Sequence, residues 1–480
     1  MTPTARPTVA IVPITDFRTP ETTVDLSTIQ AVLAGTSTTY TELELASGDA
    51  GAILRALGRD ESSAGSHVVL AASATALETD VDAVDAMTPR PKQSRLGIVR
   101  ASQVTASVRA LGWGDKALFG DTRVRSLADW PLQAYLSPDA TPFDPTKTWT
   151  FVAGGDVMLD RGVYRQLVIN KKGADFAFAG GTVSITGRYC CSAFGLTVPR
   201  TKRLDSTPDV TNLLSGADIS MVNLEGPVPV DWKYHPAGMR FTFDPALLVG
   251  LTDAGIDLVT LANNHIGNAQ NLGMRQTVQA VAAAGLGHVG AGSTLAAAVA
   301  PAWYTEGGVK VAVFGYDTIA YRYVATGSQP GSAELSSGTY HADFAAARAA
   351  GAQVIIVYPH WGTEYKTGPT SIQQRWAHKL IAAGADIIIG SHPHWAGAVE
   401  VYKGKPIFYS LGDFVFDQNW SEQTEEGLML ELTYNGATLV QSWMHPIIDL
   451  DQAQPNLLDA ASGKVVMDQV YGASKKWLPW

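Results

Sequence analysis

From residue 148 onward, short apolar runs rich in β-branched residues recur along the chain: Thr148–Ala153, Ile219–Val222, Ile256–Ala262, Val309–Phe314, Val354–Tyr358, Ile387–Ile389 and Ile407–Ser410. Runs of this length and make-up suit strands buried on both faces. Helical spacing appears between several of them. One stretch, Leu272–Ala284, is stopped by Gly285, and another, Ser371–Ala383, by Gly384. In the second, Ile372, Trp376 and Leu380 are four apart and share one face, and a glycine just past the end fits a helix terminus. Upstream, residues 8–16 read as a buried strand, Ser27–Ala34 and Gly48–Leu57 as short helices, Gly97–Ala101 as a strand and Ser102–Leu111 as a helix. Strands alternating with helices predict α/β architecture in both parts.

Punctuation sets the boundaries. Pro131, Pro138, Pro142 and Pro145 crowd one span, and proline blocks both ladder donation and helix continuation. The expected organisation is a small α/β domain over 1–136, a linker over 137–147, a main domain over 148–450 and an irregular tail over 451–480 ending in Lys-Lys-Trp-Leu-Pro-Trp. The 480 residues fit two to four domains at roughly 100–200 residues each. No internal repeat or low-complexity tract is present.

Composition narrows the partners. Charged residues are 17% and the net charge is −10, a balance that repels nucleic acid and anionic membranes. No apolar run reaches the ~18 residues of a membrane span. The first residues lack a basic stretch followed by an apolar one, so a signal peptide is not expected. Cys190 and Cys191 are adjacent. Two buried thiols are the expectation, with a vicinal disulfide as the alternative.

The chemistry lies where strands end. Ala153 is followed by Gly154-Gly155-Asp156, Val222 by Asn223-Leu224-Glu225-Gly226, Ala262 by Asn263-Asn264-His265, Pro359 by His360-Trp361-Gly362, and Gly390 by Ser391-His392-Pro393-His394. The carboxyl ends of strands in an α/β sheet converge on one crevice, so these groups are expected to meet. Imidazole suits Zn, Fe or Mn, and carboxylate or amide oxygen suits Mn, Mg or Ca. Mixed N/O ligands point to a two-metal centre built from Asp156, Glu225, Asn264, His360, His392 and His394. Singly, each residue has a plainer explanation: Asp156 as a helix cap, Asn264 in a turn, any one histidine in a structural hydrogen bond. The weight rests on the joint pattern.

In this order and setting, the motifs resemble the calcineurin-like metallophosphoesterase superfamily, and more closely its CapA/PgsA branch, tied to capsule and poly-γ-glutamate biosynthesis. Tyr409-Ser410-Leu411-Gly412-Asp413-Phe414 also fits, with Asp413 where the branch usually has Asn. The resemblance covers about residues 148–450 and implies a two-sheet sandwich flanked by helices. It implies two divalent ions, Mn, Fe or Zn. Asp156 and His394 would bind the first, Asn264, His360 and His392 the second, and Glu225 would bridge. His265 would be the general acid. Arg161 follows the first motif closely enough to reach a metal-bound anion, and Arg161 and Asn263 are the expected substrate contacts. Two departures stand out. Met158 occupies the place of a ligand histidine, and Asn223 and Glu225 replace a Gly-Asp pair. Asp160 is a candidate to fill the gap.

Between Arg161 and Arg203, Arg161, Arg165, Lys171, Lys172, Arg188, Arg200, Lys202 and Arg203 face a single acid, Asp175. Such a stretch is either a solvated basic loop or a funnel for an anionic polymer or a carboxylate-bearing peptide. The reading that follows is hydrolase-type chemistry on an anionic γ-glutamyl polymer or peptide, with other capsule-synthesis subunits as further partners. The rivals are a non-catalytic assembly or export factor and a metal-assisted acid/base enzyme such as a peptide epimerase. The resemblance implies the cell envelope or secretion, while the first residues read alone leave open either a cytoplasmic protein or a trimmed sequence.

Overall fold

The computed structural model describes residues 8–60, 65–82 and 94–474. Two compact units emerge: Met1–Thr150 with Leu432–Trp443, and Phe151–Glu431 with Met444–Pro479. In the first, β1 (Val9–Asp16), β2 (Tyr40–Ala46), β3 (Val68–Ala71), β4 (Ser94–Arg100) and β5 (Val108–Ala110) form a sheet in the order β3-β2-β4-β1-β5. Helices Leu26–Leu33, Ala50–Ala56 and Ala74–Asp82 bury Ile29, Ile53 and Leu77 against Ile11, Leu43, Leu45 and Ile98. The helix expected over Ser102–Leu111 is absent. A 3-10 turn at Ala101–Gln103 leads into β5, which pairs antiparallel with β1 through Ile14↔Ala110 and Asp16↔Val108. Val104, Val108 and Leu111 have helical spacing, but sheet pairing and burial override it.

Residues 137–147 have no regular structure before a 3-10 turn at Pro145–Lys147. Arg100 donates to the Ser137 carbonyl and pairs with Asp139, and Phe143 meets Phe119 edge-on. This stretch is thus tied to the first unit, which runs on to Thr150 and includes the tip of a distant hairpin, Leu432–Trp443.

The second unit has two large sheets. One contains β6 (Thr148–Val157), β7 (Thr182–Cys190), β8 (Thr197–Arg203), β9 (Ile219–Leu224), β10 (Leu258–Thr260) and β11 (Gly287–Val289). Later strands of the same sheet fill in between β7 and β6, and β6, β9, β10 and β11 run parallel to one another in that order. The second sheet begins with β12 (Ala302–Glu306) and β13 (Val309–Asp317), continues with β14 (Val354–His360) and β15 (Ile387–Ile389), and closes with β16 (Val399–Tyr402) and β17 (Lys405–Phe408). Its order is β12-β13-β14-β15-β17-β16. Every residue of β6, β9, β14 and β15 is buried, as the continuous apolar runs require. Alternate positions divide the work. Val152, Val222 and Val259 pack under helices Asp209–Gly216, Leu248–Asp253 and Gln270–Ala283. Ile355, Val357 and Ile388 pack under Tyr340–Ala349 and Ser371–Ala383. The sheets' other faces meet, and there the Tyr358 hydroxyl donates to the Gly154 carbonyl at 2.7 Å.

Helix Ser371–Ala383 begins at a Thr370–Gln373 capping box and ends at Gly384, φ 115°, the left-handed conformation that glycine accepts. Its buried face is Gln373, Ala377, Leu380 and Ile381, one position round from the expected stripe, and Ile372 is exposed. Beyond residue 451 the expected irregular tail is replaced by β18 (Gln454–Leu458), an inner strand, and a helix, Ala460–Ser474, that buries Val466, Met467 and Val470. The closing Lys-Lys-Trp-Leu-Pro-Trp lies outside the described residues. Cys190 and Cys191 are exposed at the end of β7 and joined by a disulfide, so the buried-thiol expectation does not hold. Among the described residues no helix is long and apolar enough to cross a membrane.

Gly155 precedes Asp156 where β6 passes the Leu411–Gly412 backbone, and a Cβ there would lie 1.9 Å from the Gly412 carbonyl oxygen. We expect Gly155→Ala to lower unfolding stability in urea by about 1–3 kcal/mol, the usual cost of overpacking. Gly187→Ala, where nothing lies within 4 Å, should be close to neutral. Equal stabilities would contradict this packing.

Candidate metal centre

The motif residues meet where the carboxyl ends of β6, β9, β10, β14 and β15 converge. Asp156 is fully buried at the end of β6. Its Oδ1 accepts from Asn223 Nδ2 at 2.8 Å, and its Oδ2 accepts from the His392 amide at 3.3 Å. Glu225, also fully buried, follows β9. Ligand atoms of Asp156, Glu225 and His394 lie within 4.8 Å of one another. Beside them, His360 Nε2 contacts Asn264 Oδ1 at 2.8 Å, and the His360 and His392 rings are 4.7 Å apart. The structure thus brings all six expected ligands into one cluster.

Two of these residues carry buried polar atoms with no hydrogen-bond partner: Glu225 Oε1 and His392 Nδ1. Burial without a partner costs roughly 1–3 kcal/mol for a neutral group and more for a charge. The electrostatics point the same way. Burial pushes Asp156 up and Glu225 well up from the carboxylate range, and Asp156 adds repulsion at Glu225. Burial likewise holds His392 down at about 3 and His360 well below its usual value. Neutral imidazoles beside crowded carboxylates are ready-made ligands for a cation of borderline softness.

Asp413 is a member of the site that the motif reading did not place. Its strand, Asp413–Val415, pairs parallel with β6 and sets Asp413 opposite Asp156. Asp413 Oδ1 accepts from His394 Nδ1 at 2.7 Å, which leaves His394 Nε2 as the free atom, 3.9 Å from Glu225 Oε1. A carboxylate behind an imidazole fixes the tautomer and ring orientation of a metal ligand. Desolvation opposes charge on His394, but Asp413, Glu225 and Asp156 outweigh it and raise its pKa to about 10. Asn223 also belongs here. It donates to Asp156, and its own oxygen accepts from Asn263 Nδ2 at 3.1 Å.

Other expected residues fall differently. Asn263, a candidate for substrate contact, is fully buried and bonded to Asn223, the Leu224 carbonyl and the His265 amide. It braces the turn. Asp160 accepts from the His235 amide and ring and the Thr242 amide, so its lone pairs are committed. Met158 is buried, and its sulfur accepts from the Asp160 amide. Arg161 pairs with Asp417 and lies over the rings of Phe241 and Phe416, which border His265 and His394 respectively. It therefore stands at the rim of the centre.

His265 Nε2 is 3.8 Å from Glu225 Oε1. Asn268 Oδ1 accepts from the Phe241 amide and contacts His265 Nδ1 at 3.2 Å. That oxygen can only accept, so Nδ1 carries the proton and Nε2 is bare. Burial lowers the pKa to about 4. His265, expected as a general acid, is neutral at pH 7 here and presents a proton acceptor. Much of the basic segment is neutralised too. Arg188 pairs with Glu422, Lys172 and Arg203 reach Asp451, and Arg203 also bonds Asn456.

An α/β unit with such a strand-end cluster defines a class of candidate metal-binding proteins, and comparison supplies the family. The family described as "Bacterial capsule synthesis protein PGA_cap" matches residues 150–418, more than half of the chain, and the chain belongs to it. Similar proteins include the capsule biosynthesis protein CapA of Bacillus anthracis, 29% identical over 300 residues, covering 61% of this chain and 66% of that protein, just under two thirds. The PGA biosynthesis protein CapA of Bacillus subtilis strain 168 is 29% identical over 340 residues, 68% of this chain and 77% of that one. A probable polyglutamine synthesis accessory protein of Mycobacterium tuberculosis is 30% identical over 294 residues, 56% and 74% of the two chains. A 5'-nucleotidase precursor from Thermus thermophilus aligns over 68% of this chain and 59% of its own, at 14% identity and a TM-score of 0.36, too distant to bear on function.

The Asp413–His394 pair makes a prediction. Asp413→Ala should weaken Mn²⁺ binding about 10–100-fold, the usual cost of losing such a partner. Asp413→Asn, which keeps an acceptor oxygen, should lose less. In the wild type, uptake should release protons at pH 7, because His394 is protonated below about 10 without metal and an imidazole ligand must be neutral. Affinity should therefore rise with pH. Calorimetry in buffers of different ionisation heat reads both quantities; equal affinities for all three proteins would contradict the role of Asp413.

Proposed function

We propose that this chain is a metal-dependent enzyme of hydrolase type, acting on an anionic γ-glutamyl polymer or peptide during capsule or poly-γ-glutamate synthesis. The family and the named relatives support the process. The observation that carries the chemistry is the pair of buried, unpartnered ligand atoms, Glu225 Oε1 and His392 Nδ1, inside one cluster of carboxylates and imidazoles. Asp156, Glu225 and His394 would hold one divalent ion, and Asn264, His360 and His392 a second, with Glu225 shared. Mn, Fe or Zn fits this donor set. When bound, such ions polarise the scissile group and acidify a water.

The remaining work falls to the chain's own residues. Asn223 and Asn263 hold the carboxylates and the Asn264 turn in register. Asp413 fixes which nitrogen His394 presents. His265 offers a bare Nε2 in a buried position beside Phe241. It would take the proton of the attacking water and return it to the leaving group. Arg161, over two aromatic rings at the rim and paired with Asp417, would exchange that partner for a carboxylate of an arriving chain.

The test is incubation with γ-linked oligoglutamate and, separately, a generic phosphodiester, both in Mn²⁺. Wild type should cleave the oligoglutamate. His265→Ala should lose about 10²–10⁴-fold in rate, the usual worth of a proton-transfer group, with metal content unchanged. If wild type turns over neither compound, and binds oligoglutamate equally well with or without His265, the enzyme reading gives way to that of a polymer-binding assembly factor.

A further inference from the structure

Glu364 lies in the loop after β14, outside the strand-end motifs. Its carboxylate and the imidazoles of His392 and His394 offer ligand atoms within 4.8 Å of one another. That placement is built. Trp361 donates its amide to the Ser391 carbonyl at 3.1 Å, and Tyr365 donates its amide to the Pro393 carbonyl at 2.8 Å. The loop carrying Glu364 is therefore tied at both ends to the segment carrying the two histidines. Gly362 makes the turn at φ 99°, where a Cβ would meet Gln373 at 2.4 Å. Tyr365 sits at φ 60°, and its ring stacks on His394 with centroids 6.0 Å apart. A non-glycine residue in this region is strained and persists only where its surroundings over-determine it. Here the ring contact and the bond to Pro393 do so.

We propose that Glu364 is a metal ligand of this centre, forming with His392 and His394 a two-histidine, one-carboxylate set. The inference rests on the metal-centre reading above and extends it. His392 contributes a buried nitrogen with no hydrogen-bond partner. His394 contributes Nε2, since Nδ1 is held by Asp413. Glu364 is half-buried, whereas Asp156 and Glu225 are fully buried, so its carboxylate arrives from the open side. Three protein ligands of this kind leave positions free for water or substrate, the pattern of catalytic rather than closed structural sites.

The Glu364 set shares His394 with the Asp156 and Glu225 set and His392 with the Asn264 and His360 set, and the single free nitrogen of His394 serves one ion at a time. The Asp156, Glu225 and His394 set has two carboxylates and one imidazole, and the Glu364 set has the reverse ratio. Nitrogen donors favour Zn²⁺ and Fe²⁺ over Mg²⁺ and Mn²⁺. Removing Glu364 should accordingly weaken Zn²⁺ binding more than Mn²⁺ binding.

The experiment titrates Zn²⁺ and Mn²⁺ into metal-stripped full-length protein by calorimetry, comparing wild type with Glu364→Ala, Glu364→Asp, His392→Ala and Asp156→Ala. Melting without metal is recorded for each. Glu364→Ala should keep the metal-free melting temperature, because the loop is held by backbone bonds rather than by this carboxylate. It should lower Zn²⁺ affinity at least tenfold, with partial recovery in Glu364→Asp. Wild-type Zn²⁺ affinity and stoichiometry in Glu364→Ala, with losses in His392→Ala and Asp156→Ala, would overturn the Glu364 assignment alone. Unchanged binding in all the variants would overturn the metal centre with it. If Glu364→Ala also melts differently, the Zn²⁺ and Mn²⁺ losses decide: equal losses for both ions contradict the assignment, and a larger Zn²⁺ loss supports it.

Discussion

Asp156, Glu225 and Asp413 end inside the second unit at 0–2% exposure. Burial raises the pKa of all of them, Asp413 to about 7. Around them stand four imidazoles, and burial holds three of these, His265, His360 and His392, neutral. Only His394 is favoured as a cation. Placing several carboxylates in low dielectric with one counter-charge is expensive unless protons or metal ions restore the balance. This charge imbalance constrains the surroundings. The asparagine brace, the buried aromatic rim and the positive φ of His392 and His394 all hold the acids and imidazoles in one small volume.

The same constraint explains why the sheets meet as they do. Gly154 and Gly155 let β6 approach Phe414 and the Gly412 backbone, which brings Asp413 beside Asp156. The Tyr358 hydroxyl crosses to the Gly154 carbonyl and fixes β14, hence His360, against β6. Packing between the sheets therefore sets the separations of the candidate ligands, and a loss of close backbone approach at Gly155 would act on the site as much as on stability. Arg161 belongs to the same arrangement: its ion pair with Asp417 and the rings of Phe241 and Phe416 hold it at the rim of an acidic centre.

Much of this was legible in the sequence because parallel strands deliver their carboxyl ends to one edge, so residues that follow apolar runs must meet. Asp156, Glu225, His360 and His392 follow from that rule alone. Asn223 and Asp413 did not, since their roles depend on which strand lies beside which; nothing local tells that Asp413–Val415 pairs with β6. Glu364 was hidden for the same reason, its loop being placed by two backbone bonds to a segment nearly thirty residues away in the chain. Asn263 and Asn264 are chemically identical neighbours, and only the turn decides that one points inward and the other toward His360. The segment over Ser102–Leu111 shows the converse, a helical spacing overruled by its strand partner.

Whether the strand-end cluster holds divalent metal decides everything built on it. Anomalous X-ray scattering from crystals grown in Mn²⁺, with data collected on both sides of the manganese absorption edge, tests this most directly. The expected result is anomalous density bounded by Asp156, Glu225 and His394, with further density beside His360 and His392. Well-diffracting crystals with no anomalous density in this cluster, or with density only at surface carboxylates, would contradict it.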